Sequence, residues 1–102
     1  MDGNLRIETL LDEVIKKKAS DLHIQVGLPP MLRIDGALVA GNGATPLKEE
    51  NVETLVYSIL DEEQKQILLK DKEYDFSFSF GDLGRFRVNA FHERGNLAAE
   101  LV

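Results

Sequence analysis

The chain has 102 residues, of which 43 % are apolar and 29 % charged, with a net charge of −6 and no cysteine. That length makes one domain, and the lack of cysteine excludes disulfides, thiolate metal sites and a cysteine nucleophile. The acidic balance argues against a general nucleic-acid or anionic-membrane surface, which needs clustered cations, and no apolar run matches a membrane span or a signal-peptide core.

Residues 4–18 read as a helix. Ile7, Leu10, Leu11, Val14 and Ile15 fall on one stripe at i, i+3, i+4, i+7 and i+8. Lys16, Lys17 and Lys18 suit the negative end of its dipole. The period then drops to two. Leu22, Ile24 and Val26 alternate with His23 and Gln25, which predicts a strand. Gly27-Leu28-Pro29-Pro30 ends it, because proline cannot donate to a ladder. A second strand carries Leu32 and Ile34. Asp35-Gly36 signals a two-residue hairpin into Ala37–Ala40. Residues 41–46 are a loop by composition.

A second helix is expected over 48–60, with Val52, Leu55, Val56, Ile59 and Leu60 on its stripe. A third spans 62–70, with Asp61 as N-cap and Gln64 completing a capping box; Ile67 and Leu68 would be buried. Residues 73–81 then alternate without error. Tyr74, Phe76, Phe78 and Phe80 share one face, and Asp75, Ser77 and Ser79 the other. Residues 85–92 alternate too, with Phe86, Val88 and Ala90 opposed to Arg85, Arg87, Asn89 and Phe91. An even-numbered turn at Gly81–Gly84 would set Phe78 opposite Arg87 and mix arginines with phenylalanines. A one-residue bulge at Gly81 or Gly84 would keep them apart, and that is the expectation taken here. A last strand starts near Leu97. The order α-β-β-β-α-α-β-β-β means α+β with a mainly antiparallel sheet.

Much chemistry is missing. There is no Gly-x-x-x-x-Gly-Lys-Ser/Thr phosphate loop, and Gly41-Asn42-Gly43 reads as plain loop. His23 and His92 lack ligand-like spacing, so no metal site is expected. No Ser/His/Asp set or carboxylate pair stands out, and no catalytic residue is assigned. Ser20 and Asp21 would satisfy backbone groups at the helix-to-strand turn, and His23 reads as a half-buried strand histidine bonded to its neighbours. The cations are more telling. Residues 76–102 hold three acids and three bases, and those bases are Arg85, Arg87 and Arg94. At i and i+2 of a strand, Arg85 and Arg87 leave one face about 7 Å apart. Two guanidinium forks so placed can grip adjacent polyphosphate oxygens. On pattern alone, pairing with surface carboxylates is the favoured reading.

The ordered series is familiar: Ala19-Ser20-Asp21-Leu22-His23-Ile24, Gly27-Leu28-Pro29-Pro30-Met31-Leu32-Arg33-Ile34-Asp35-Gly36, Asp75-Phe76-Ser77-Phe78-Ser79, Arg85-Phe86-Arg87-Val88-Asn89-Ala90-Phe91 and Arg94-Gly95. It resembles the N-terminal domain of the twitching-motility ATPases that retract type IV pili, within the type II/IV secretion ATPase superfamily. The match runs through essentially the whole chain.

The resemblance implies a single PAS-like α+β domain over 1–102, with five to six strands flanked by helices. It implies that the RecA-like P-loop domain is missing here, so that the isolated chain is no enzyme and needs no cofactor, whereas the parent uses ATP and Mg. It implies a cytoplasmic homohexamer at the inner membrane. There this domain would pack on its own RecA-like domain and on neighbouring subunits, against the pilus platform proteins and without nucleic acid. Arg85, Arg87 and Arg94, with Arg33 as a fourth, are the implied nucleotide-phosphate contacts, acting as arginine fingers do. The first helix begins almost at Met1, as in the retraction enzymes rather than the pilus-extension or type II secretion ATPases. The tail Ala98-Ala99-Glu100-Leu101-Val102 departs from the family's usual arginine and Ile-Pro continuation. A stand-alone PAS-like sensor is the alternative from another class, and the arginine strand counts against it.

Overall fold

The computed structural model describes residues 6–41 and 45–102. Three helices and six strands follow in the order α1 (Ile7–Lys16), β1 (Asp21–Gln25), β2 (Met31–Ile34), β3 (Ala37–Ala40), α2 (Glu49–Tyr57), α3 (Glu62–Asp71), β4 (Glu73–Phe80), β5 (Gly84–Glu93) and β6 (Asn96–Leu101). All strands join one sheet in the order β3-β2-β1-β6-β5-β4, and every neighbouring pair is antiparallel.

The helices follow their apolar stripes, but α1 and α2 stop earlier than periodicity suggests, while α3 runs one residue further, to Asp71. Ile7, Leu10, Leu11 and Val14 of α1 are buried. The start expected at residue 4 lies outside the described residues. The helix closes when Lys18 turns left-handed at φ 55°. Helix α2 buries Val52, Leu55 and Val56 and ends at Tyr57, three residues short of the expected boundary. Its start is fixed by Asn51, whose Oδ1 accepts from the Lys48 N–H at 2.8 Å. The capping box of α3 is present in both directions: Gln64 N–H donates to Asp61 Oδ1 at 2.8 Å and Asp61 N–H donates to Gln64 Oε1 at 2.9 Å. Leu68 is buried and Ile67 only half-buried. Of the glycine-rich loop, residues 42–44 lie outside the described residues, while Gly41 N–H is tied to the Pro30 carbonyl at 2.8 Å.

Two tight hairpins share one backbone. Asp35 and Gly36 have φ of 52° and 85°, and Arg94 and Gly95 have φ of 54° and 82°. Positive φ at both central residues is the type I′ turn, whose twist matches that of the strands. The β4–β5 hairpin differs. Phe80 pairs with Gly84, Phe78 with Phe86 and Ser77 with Arg87. The loop is therefore three residues, 81–83, with Gly81 at φ 55°. An odd loop changes the register by one, and a one-residue change flips every side chain. The phenylalanines and arginines do separate, as expected. The device is the odd loop length, and the ladder itself runs from Phe80 to Glu73 without a bulge.

The last strand sits in the middle of the sheet. Leu101 lies between Leu22 and Val88, and Ala99 between Ile24 and Ala90. All six of these residues are buried. They share the face that packs on the helices, with α1 on β1, α2 on β6 and α3 on β4. At the edge, Tyr74, Phe76, Phe78 and Phe80 are only partly buried. Tyr74 and Phe76 stack with ring centroids 5.4 Å apart. The other face of the sheet carries Asp21 and His23 of β1, Arg33 of β2, Asp75, Ser77 and Ser79 of β4, Arg85, Arg87 and Asn89 of β5 and Glu100 of β6. An open antiparallel sheet backed by helices is the arrangement expected of a PAS-like α+β domain.

Removing part of the central core should be costly. Leu22→Ala, at a fully buried site, should lose about 2–5 kcal/mol in urea denaturation. Asp61→Ala should lose about 1 kcal/mol, the usual value of an N-cap.

Candidate functional site

The register arranges the open face as rows running across the strands. In one row, Leu38, Arg33 and Asp21 are aligned. On the far side of β6, Val102 exchanges both backbone hydrogen bonds with Arg87, at 3.0 and 2.9 Å, and Arg87 faces Ser77. The next row holds Met31, His23, Glu100, Asn89 and Asp75. Arg85 faces Ser79.

Three of the four sequence-nominated arginines thus share this face. Arg85 and Arg87 are neighbours at i and i+2, and both are exposed. Arg33 is three strands away from them, about 14 Å at ordinary strand spacing. Arg94 is not brought together with the others. It occupies the β5–β6 turn, seven residues beyond Arg87, which is about 20 Å along a strand. There it borders a small cleft of ≈ 200 Å³ with Gln25, Val26 and Asn96.

The arginines also differ in their partners. Arg33 donates from Nε to Asp21 Oδ2 at 3.2 Å and from a terminal nitrogen to the Gly36 carbonyl at 3.3 Å. Asp21 further accepts from the Ser20 hydroxyl and lies 2.9 Å from His23 Nε2. His23 Nδ1 lies 3.8 Å from Glu100. His23 is the half-buried, hydrogen-bonded strand histidine the sequence suggests. The Ser20 and Asp21 side chains bond each other, His23 and Arg33 rather than the backbone of the helix-to-strand turn; the Arg33 carbonyl on β2 accepts from Ser20 N–H at 2.8 Å. Arg87 donates to the exposed carboxylate of Asp75 from Nη2 at 2.9 Å and from Nε at 3.4 Å. Among the described residues, neither Arg85 nor Arg94 forms an ion pair.

Two carboxyls are held below the usual range. For Asp21 the Ser20 hydroxyl contributes most, and burial opposes it before His23 and Arg33 add their share. For Asp75 the Arg87 hydrogen bond leads, and the same pair raises Arg87. A concavity of ≈ 670 Å³ is lined by Ile67, Asp71, Glu73, Tyr74, Asp75 and Asn89. Its three carboxylates repel phosphate, so size does not make it the anion site. Among the described residues, no group of three His, Asp or Glu side chains is placed to hold a metal, and no helix is long and apolar enough to cross a membrane.

Asp75 is the residue sequence reasoning missed. Its signal was present, since it alternates onto the face of Ser77 and Ser79. Only the odd loop length puts that face beside the arginines.

No protein-family model matches the chain. It is 41 % identical to the Pseudomonas aeruginosa type IV pilus retraction ATPase PilT over 93 residues, covering 91 % of this chain and 27 % of PilT. It is 33 % identical to the type IV pilus ATPase PilU of the same organism over 90 residues, 88 % of this chain and 23 % of PilU. The chain therefore spans about a quarter of the length of these curated relatives. Among solved structures, the pilus retraction motor PilT with bound ADP superposes with a TM-score of 0.88 at 37 % identity, over 96 % of this chain and 29 % of that one. The Legionella pneumophila ATPase DotB gives 0.76 at 25 % identity, over 97 % and 29 %.

The fold and these likenesses define the class: the PAS-like N-terminal domain of a secretion-type ATPase. The chain belongs to the type II/IV secretion ATPase family, with PilT among its homologues.

Because the folded pKa values of Asp75 and Asp21 are depressed, their contribution to stability is present above the ordinary carboxylate range. It is lost as pH falls through the lowered values. In an NMR titration of side-chain carboxyls, Arg87→Ala should return Asp75 toward its ordinary value. Ser20→Ala should raise Asp21, and by more than Arg33→Lys does.

Proposed function

We propose that this chain is the N-terminal domain of a hexameric ATPase that retracts type IV pili, and that Arg85, Arg87 and Arg94 reach the phosphates of ATP held by the parent's RecA-like domain. The likeness to PilT, over nearly the whole chain, carries the pilus reading. The arginine reading is supported by two exposed guanidiniums side by side on an open sheet face. Such forks bind phosphate oxygens by charge-assisted, bidentate bonds, and they stabilise charge that develops in phosphoryl transfer. Arg33 is the weakest of the four, since Asp21 and Gly36 already use its donors. It holds β1, β2 and the Asp35-Gly36 turn together.

In this reading the domain has no turnover alone. ATP and Mg act between it and the RecA-like domain, in a cytoplasmic ring whose neighbouring subunits and membrane platform proteins are its partners. A polypeptide continuing after Val102 would leave the sheet beside Arg87, which favours nucleotide lying at that end of the open face. The resemblance to DotB carries a second reading, a secretion or extension ATPase with the same arginine chemistry and another direction of work.

In the parent ATPase, Arg87→Ala should lower turnover about tenfold to a hundredfold, the loss expected from one charge-assisted hydrogen bond, with an unchanged melting temperature. Arg94→Asn tests the third arginine without disturbing its turn, because Asn tolerates left-handed backbone. Wild-type turnover in both would refute the arginine assignment. Restored retraction on expression of the parent in a pilus-retraction mutant would separate the first reading from the second.

A further inference from the structure

We infer that Asp75 is a latch on Arg87: it occupies the Nε/Nη2 edge of that guanidinium when no phosphate is present, and a phosphate ligand takes that edge by displacing it. The inference rests on the phosphate-binding reading above and adds a residue to it.

Geometry carries the case. The pair crosses from β4 to β5 as a bidentate contact, at 2.9 and 3.4 Å. The two carboxylate oxygens face Nε and one terminal nitrogen, the side-on edge of the guanidinium. A phosphate bidentate on that edge and the carboxylate exclude each other. Among the described residues, Arg85, two residues away on the same face, has no ion-pair partner. The two neighbours are thus in different states: Arg85 is open to an anion at once, and Arg87 is held.

The pair is also of a kind that exchanges. Asp75 and Arg87 side chains are 49 % and 77 % exposed, and exposed ion pairs are weak. The Asp21–Arg33 pair contrasts with it. There the acid is 18 % exposed and has Ser20 and His23 as further partners, so releasing Arg33 would strand a half-buried carboxylate. Of the paired arginines on this face, Arg87 is the one a ligand can take. Asp75 is therefore a positioning residue. It keeps the Arg87 guanidinium extended over the face toward β4, and it sets a threshold that favours a multiply charged phosphate over a single-charge anion.

The experiment uses the 102-residue chain and inorganic tripolyphosphate at constant ionic strength. The side-chain Nε–Hε signals of Arg85, Arg87 and Arg94 are followed by NMR. Asp75→Asn should lower the Arg87 midpoint about two- to fivefold, the size expected for releasing one exposed ion pair. Asp75→Glu should restore the wild-type midpoint. Glu73→Gln is the control, because it removes the same charge from the same strand face without touching Arg87. It should leave the Arg87 midpoint near wild type. Equal midpoints for wild type and Asp75→Asn, or an equal gain from Glu73→Gln, would overturn the latch while leaving Arg87 as a phosphate contact. An Arg87 signal that moves in none of the proteins would also overturn it, and the phosphate reading would then be decided by the turnover of the Arg87→Ala parent.

Discussion

The sheet depends on its last strand. β6 enters between β1 and β5 and joins two halves of the chain that otherwise share no ladder. On one side lies the meander of β1, β2 and β3. On the other lies the hairpin of β4 and β5. Leu101 touches both halves by pairing with Leu22 and Val88, and Ala99 does so with Ile24 and Ala90. The small side chains of Ala90 and Ala99 leave room for the helices to press on the centre of the sheet, where α2 lies over β6. Without this strand each half would expose a buried face, and isolated hairpins are marginal in water. The same strand also orders the opposite face, because its register decides that Arg33 and Arg87 look the same way.

That face is built from two kinds of ion pair. The first, around Asp21, is partly sheltered and shared among Ser20, His23 and Arg33. A carboxylate with several donors in a sheltered site is stiff, since losing any donor leaves it under-satisfied. The second joins Asp75 to Arg87 in open solvent. It is geometrically good and energetically cheap to exchange. The first kind ties β1 to β2, and the second joins β4 to β5 through side chains that stay in solvent.

Periodicity made most of the elements legible. Apolar stripes located the three helices, and alternation located the strands, down to the opposed faces of β4 and β5. The helix ends were harder to read. The stripe of α2 runs on through Ile59 and Leu60, but there the backbone turns, with Leu60 N–H on the Tyr57 carbonyl at 3.1 Å; burial continues after the helix has stopped. The β2–β3 and β4–β5 hairpins were legible from their turns, but the neighbours of strands distant in the chain were not. Nothing in Asn96–Leu101 says that it pairs with β1, some seventy residues earlier, as well as with β5. The Asp75–Arg87 contact was hidden for a related reason. Both residues were visible, but whether they meet depends on one residue of loop length at 81–83. Of the nominated arginines, Arg33 came from the resemblance alone, and its pairing with Asp21, in the same motif, was not read from the sequence.

The edge formed by β4 has a consequence for the protein in solution. Its eight residues, Glu73–Phe80, leave one side of the backbone unpaired, with no lysine or proline to discourage another strand from adding there. The aromatic row beneath it is half-covered. Charge protects only its first half, through Glu73 and Asp75, and the run from Phe76 to Phe80 carries none. What keeps such edges apart at neutral pH is the repulsion between molecules that each bear a net charge of −6. Near the isoelectric point of about 4.8 that repulsion vanishes while the sheet edge is still intact. Colloidal stability, rather than folding stability, then becomes the first thing this domain loses on acidification.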